Sequence, residues 1–180
     1  MVEYKFFDNR WYKPGNKVKI FFWYFVNILF FINPLNPFSF IKIILLRIFG
    51  ANIGKHVLIK PSVNIKYPWK LSIGNYSMIG ENVWIDNLDH VTIGNNVCIS
   101  QGAFLLCGNH DYKKSTFDLQ IGKIILEDGV WIGAKSIVCP NVICKSHSVL
   151  SVNSTASSDL QEYSIYRGSP AIKIRDRIIV

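Results

Sequence analysis

The sequence predicts an all-β chain, a parallel β-helix of hexapeptide repeats preceded by a short, helical, apolar segment. Three observations carry this. First, from Ile53 an aliphatic residue recurs at every sixth place: Ile53, Ile59 and Ile65, then Ile73, Ile79 and Ile85, then Ile93, Ile99 and Leu105. After an interruption the step resumes at Leu126, Ile132, Val138, Cys144, Leu150 and Ala156, so that thirteen of fifteen positions are Ile, Leu or Val. Second, Gly54, Gly74, Gly80, Gly94 and Gly133 each follow a repeat isoleucine directly. Third, the places four after it hold small or β-branched residues, such as Val57, Ser77, Val83, Ala103 and Val142.

A helix repeats its apolar face at three and four, and a strand alternates. A strict six fits neither. It fits a coil of three short strands with one aliphatic residue per side pointing at the axis, each coil stacked on the last. Glycine after the isoleucine is expected to allow backbone angles closed to other residues. Rows twenty residues apart are three sixes plus a two-residue bulge, at Trp69-Lys70 to Ser72 and again at Asp89-His90 to Thr92. The expected organisation is an apolar segment over 1–52, the β-helix over 53–160 with an inserted loop at about 107–124, and a C-terminal tail over 161–180.

Within the first segment, Ile20 to Ile32 is almost purely apolar but falls short of the ~18–20 residues that span a bilayer. Asn33-Pro34 stops it, and Phe38 to Phe49 follows with Lys42 and Arg47. Two short helices are expected. They either pack on the β-helix and cap its open end, or rest on a membrane as a peripheral foot, with the basic residues meeting lipid headgroups over 20–49.

The net charge of +8 favours anionic partners, but lysines and arginines are scattered rather than clustered, so nucleic acid is not expected. Cys98, Cys107, Cys139 and Cys144 form no C-x-x-C pair and suit small apolar roles in a reducing compartment. Met1 to Arg10 is polar and of mixed charge, unlike a secretory leader, so a cytoplasmic location is expected.

Between Leu105 and Leu126 the six-step fails. A loop that leaves a regular solenoid costs ordering entropy, and such loops usually serve function. At its root stand Gly108, Asn109, His110, Asp111 and Tyr112. An imidazole titrates near neutrality and suits removal of a proton from a hydroxyl. His56, His90 and His147 lack that context and read as surface or packed residues.

GNHDY, then VWIGAKSIVCPNV, and finally YRGSPAIKIR resemble the hexapeptide-repeat acyltransferases, nearest to the colanic-acid and exopolysaccharide sugar O-acetyltransferases. The resemblance runs from Ile53 to about Asp176, and LLRIFGANIG before it is also similar. It implies a left-handed coil, a homotrimer, acetyl-CoA as donor with no metal required, and a sugar or polysaccharide precursor as acceptor, at the cytoplasmic face of the membrane if the foot is real. It implies His110 as the catalytic base. It implies a groove for coenzyme A along the C-terminal coils, lined by Trp131, Gly133, Ala134, Val152, Asn153 and Ser157, with Gly168 and Pro170 in the terminal motif and Arg175 toward the phosphates. Ser158 and Ile172 depart from the family pattern, which leaves Lys173 or Arg177 to replace a basic contact. On the acceptor side the expected residues are Asn87, Asp86 and Asp111, and Asp111 or Asn109 is expected to orient the imidazole.

Two other readings fit the solenoid. A zinc-dependent carbonic anhydrase would need three histidine ligands, and the four histidines do not show that pattern. A non-catalytic scaffold would leave His110 dispensable. An amino-sugar N-acetyltransferase would use the same base, so His110 does not separate it from O-acetyl transfer.

Overall fold

A computed structural model of the chain describes residues 3–180. Each hexapeptide supplies one short strand, and the strands stack into three parallel sheets, the faces of the solenoid. The first face stacks Asn52–Ile53, Leu71–Ile73, Val91–Ile93, Ile124–Leu126 and Ile143–Cys144. The second stacks Leu58–Ile59, Met78–Ile79, Cys98–Ile99, Trp131–Ile132 and Val149–Leu150. The third stacks Asn64–Ile65, Trp84–Asp86, Phe104–Leu106, Ile137–Val138 and Thr155–Ala156. Register is set residue on residue, as in Ile59 on Ile79 on Ile99 on Ile132 on Leu150. All fifteen six-step residues are buried, so the ladders read from the sequence are the core.

The corners hold a regularity that the apolar pattern does not display. Three places after eleven of the fifteen ladder residues the backbone is left-handed, at His56, Ser62, Tyr76, Asn82, Asn96, Lys135, Asn141, His147 and Asn153, and likewise at Gly102 and Gly129. This conformation costs an L-residue about 1–2 kcal/mol, which the stacked coils offset. The glycines that follow the ladder residues have a different job from the one expected of them. Gly54, Gly74, Gly80, Gly94 and Gly133 are not among the positive-φ residues. A Cβ on Gly74 would lie 2.6 Å from the backbone C and O of Gly94 in the next coil. These glycines let coil approach coil. Gly74→Ala should therefore cost about 1–3 kcal/mol, through overpacking against a backbone that cannot yield. Chemical denaturation would read this as a lowered midpoint with an unchanged slope.

The apolar segment closes the open end of the first coil. Helix α1 (Lys17–Val26) is capped by Asn16, whose Oδ1 accepts from the amides of Val18 and Lys19, and it runs on as a π-helical turn over Asn27–Ile32. After the turn at Asn33-Pro34 comes helix α2 (Ser39–Ile48). The first coil would otherwise leave strand polar groups without a partner, and side chains of this segment meet them on every face. Arg47 donates to the carbonyls of Ile53 and Gly54 on the first face. On the second, Lys42 Nζ donates to Lys60 O at 2.8 Å and Ser39 Oγ accepts from Ile59 N. On the third, Trp23 Nε1 donates to Ile65 O at 2.8 Å and Asn27 bonds the Asn64 side chain. Lys42 is thus buried, and burial pushes its ammonium down from its usual range, while Arg47 stays exposed and reaches the first coil through one guanidinium nitrogen. Among the described residues no helix is long and apolar enough to cross a membrane.

At the other end, the expected tail is a hairpin. Ser164–Gly168 pairs in parallel with Val149–Leu150 and turns back antiparallel into Ala171–Asp176. Tyr166 continues the second ladder above Leu150 and is buried. Cys107 and Cys144 are buried, and burial pushes the Cys107 thiol up to about 12, as befits an inert apolar filler.

Candidate functional site

The interruption of the repeat is a second hairpin, formed by Gly108–His110 and Leu119–Ile121, with His110 opposite Leu119. It leaves the solenoid at the corner between the third and first faces, after Phe104–Leu106 and before Ile124–Leu126. His110 is half-buried. Its Nδ1 lies 3.0 Å from the carbonyl oxygen of Phe117. A carbonyl can only accept, so Nδ1 is the donor, and in the neutral ring the lone pair falls on Nε2. The Phe117 ring stacks on the imidazole at 4.3 Å between centroids and 8° between planes, and Phe7 packs against it at 5.7 Å. Phe117 has φ of +51°, the bend that brings its carbonyl back to the histidine.

Neither expected orienter holds the ring. Asn109 Oδ1 accepts from the His110 backbone amide, and Asp111 Oδ1 accepts from the amide of Lys113. Asp111 instead faces a small cavity with Asp8, Trp11, Lys114 and Asp118. Asn87 is fully buried, and its amide both accepts from Tyr67 N and donates to Tyr67 O, so it ties two coils at a corner and offers nothing to solvent. Asp86 is nearly buried and pairs with Lys66 at 2.9 Å.

What encloses the histidine comes from the opposite end of the sequence. Residues 3–17 wrap over the hairpin: Glu3 N donates to Ser115 O, Tyr4 packs edge-on against Phe117, and Tyr12 Oη donates to Leu88 O at 2.7 Å. Under this cover lies a cavity of about 860 Å³ lined by Phe7, Asn9, Arg10, Tyr12, Lys13, Pro14, Lys17, Lys66, Tyr67, Leu88, His110 and Leu119. The sequence offered no sign of this wall, because contacts between residues a hundred places apart leave no period.

A second cavity, of about 560 Å³, runs along the second face. Of the expected donor residues it gathers Trp131, Gly133, Ala134, Val152 and Arg175, and it adds Ser100, Gln101, Ile165 and Arg177. Trp131 Nε1 donates to Ser100 Oγ at 2.9 Å, which fixes the indole as one wall. A Cβ on Gly133 would strike the backbone of Val152 at 2.6 Å, so the floor is flat where the coils meet. Asn153 sits on a left-handed corner beside the groove, while Ser157, Gly168 and Pro170 do not line it. Gly168 N donates to the buried Ser154 Oγ, which anchors the terminal turn. Arg177 lines the groove and donates through Nη1 to the carbonyls of Gly129 and His147, whereas Lys173 does not line it and pairs with Asp176. Arg175 makes no ion pair among the described residues. The histidine at its corner and the groove on the second face lie apart within one chain. Among the described residues no cluster of side chains could hold a metal ion.

No family model matches the chain. It is 34% identical over 167 residues to the colanic acid biosynthesis acetyltransferase WcaF of Escherichia coli, a match that covers 93% of this chain and 92% of the relative. The chain belongs to this family of hexapeptide-repeat acetyltransferases. The fold of the family is seen in a hexapeptide-repeat acetyltransferase from Vibrio cholerae, solved with acetyl coenzyme A. That structure superposes with a TM-score of 0.75 at 23% identity, over 81% of each chain. A variant of an N-acyltransferase from Bacillus cereus, solved with dTDP-4-amino-4,6-dideoxyglucose and coenzyme A, superposes with a TM-score of 0.66 at 23% identity, over 77% of this chain and 90% of its own.

Proposed function

We infer that this acetyltransferase moves the acetyl group of acetyl-CoA to a hydroxyl of a sugar or polysaccharide precursor, with His110 as general base. The observation that carries the reading is the bond from Nδ1 to Phe117 O in a histidine that lines the cavity, which in the neutral ring reserves Nε2 to accept a proton. As the hydroxyl oxygen attacks the thioester carbonyl, Nε2 takes its proton and passes it to the departing thiolate. A backbone N–H of the solenoid wall would meet the oxyanion. The flat groove beside Trp131 and Gly133 suits pantetheine, and Arg175 suits a coenzyme phosphate. Thiol release from acetyl-CoA with a panel of sugars and amino sugars tests this. Release that needs a hydroxyl acceptor supports O-transfer, and release only with amines supports the N-acyl reading. No release, together with no coenzyme A binding, supports the scaffold.

The separation of the histidine from the groove supports a homotrimer, in which one chain's His110 meets a neighbour's groove. Sedimentation is expected to give three chains, and a monomer that retains full activity would sink this.

The apolar segment supports a peripheral membrane contact at the cytoplasmic face. Phe21, Phe22, Tyr24, Leu29, Leu35, Phe40 and Ile48 are each more than half exposed, and exposed apolar side chains gathered in one segment mark a surface for association. Because Lys42 is buried and Arg47 is engaged with the carbonyls of Ile53 and Gly54, apolar insertion more than their charge would drive binding. The protein should float with lipid vesicles, and Phe22→Ser/Leu29→Ser/Phe40→Ser should release it.

A further inference from the structure

We propose that the cavity beside His110 binds an anionic group of the acceptor, a phosphate or diphosphate ester joined to the sugar that is acetylated. This rests on the acetyltransferase reading of the same site and narrows its substrate. The cavity is lined by Arg10, Lys13, Lys17 and Lys66 and by no carboxylate. Two of these cations are already satisfied: Arg10 is held by Asp8, and Lys66 by the nearly buried Asp86. Lys13 and Lys17 are exposed and make no ion pair among the described residues. Lys17 also stands in the first turn of α1, where the helix dipole disfavours a cation, and no acidic residue accompanies it there. Helix stability does not ask for a lysine at that place. A negative ligand across the cavity would.

The kind of cation points to the kind of anion. A guanidinium grips a planar carboxylate through two parallel bonds, and the one guanidinium here is committed to Asp8. The amines of Lys13 and Lys17 are compact, mobile point charges that serve phosphoryl oxygens lying in several directions. The same segment that supplies them also closes over His110 through Phe7, so the group that recognises the anion covers the base.

The test is calorimetric titration of inorganic pyrophosphate into protein saturated with coenzyme A, which removes the donor groove from the measurement. Pyrophosphate is expected to bind, to bind at least tenfold more weakly in Lys13→Gln/Lys17→Gln, and to bind unchanged in Lys145→Gln, an exposed lysine outside both cavities. Absence of binding, or binding that the double substitution leaves intact, overturns the proposal. Pyrophosphate binding does not depend on acetyl transfer, so failure here leaves the transferase reading standing, whereas intact binding beside a failed thiol-release assay keeps the anion site and overturns its assignment to an acceptor. In that assay a nucleoside diphosphate sugar and a polyprenyl diphosphate sugar distinguish the two carriers of such a group. With either, the double variant should raise KM about tenfold and hold kcat within about twofold.

Discussion

If His110 is the general base proposed, His110→Ala is expected to lower kcat by about 10²–10⁴-fold, the range that a positioned base contributes, and to leave binding of acetyl-CoA unchanged. The imidazole touches Phe117 and Phe7 and lines the cavity proposed for the acceptor, while the groove proposed for the donor lies on another face. The loss should therefore fall on turnover and not on the donor KM. His90→Ala is the control. His90 is exposed, with Asp89 its one polar side-chain partner, and its removal should change nothing. Asp111→Asn should also keep near-normal rates, because the ring is held by a backbone carbonyl rather than by that carboxylate. A large loss in Asp111→Asn with an intact fold would mean that the ring turns to Asp111 during the reaction. Steady-state thiol release with each variant measures all three.

Ile99→Ala costs about 2–5 kcal/mol of unfolding free energy, the range for a fully buried aliphatic side chain cut to alanine. Ile99 has no exposure and sits between Ile79 and Ile132 in the second ladder. A solenoid has little freedom to collapse around the gap. Each coil is fixed to the next by strand bonds on three sides, so the upper part of the range is expected. Denaturant titration checks this, and a loss under 1 kcal/mol would show that the coils can close up.

The sequence disclosed the ladders because each is a single apolar place recurring at a fixed step, and burial allows no other residue class there. It disclosed the histidine because the loop breaks that step. Five of the nine expected donor residues line one groove, since neighbouring coils bring places about eighteen or twenty apart into contact. The rest was hidden for physical reasons. Asn87 and Asp111 have the chemistry of sugar contacts, but whether an amide or carboxylate faces solvent or a corner is decided by rotamers and neighbours. The grip of Phe117 on the imidazole runs through a main-chain oxygen, which every residue possesses. The glycines after the ladder residues suggest unusual backbone angles and are spacers, since a close approach between coils leaves the same letter in the chain as a bend. The cationic wall was invisible because residues 3–17 reach the site only after the whole solenoid has been wound.

The first coil carries one further meaning. A stack of parallel coils ends in a row of donors and acceptors identical in kind to those it uses internally, so it is a template for its own continuation. Arg47, Lys42, Ser39, Trp23 and Asn27 occupy that row on all three faces. The helical layer therefore acts as a terminator. It keeps a geometry suited to endless fibres as a particle of finite length.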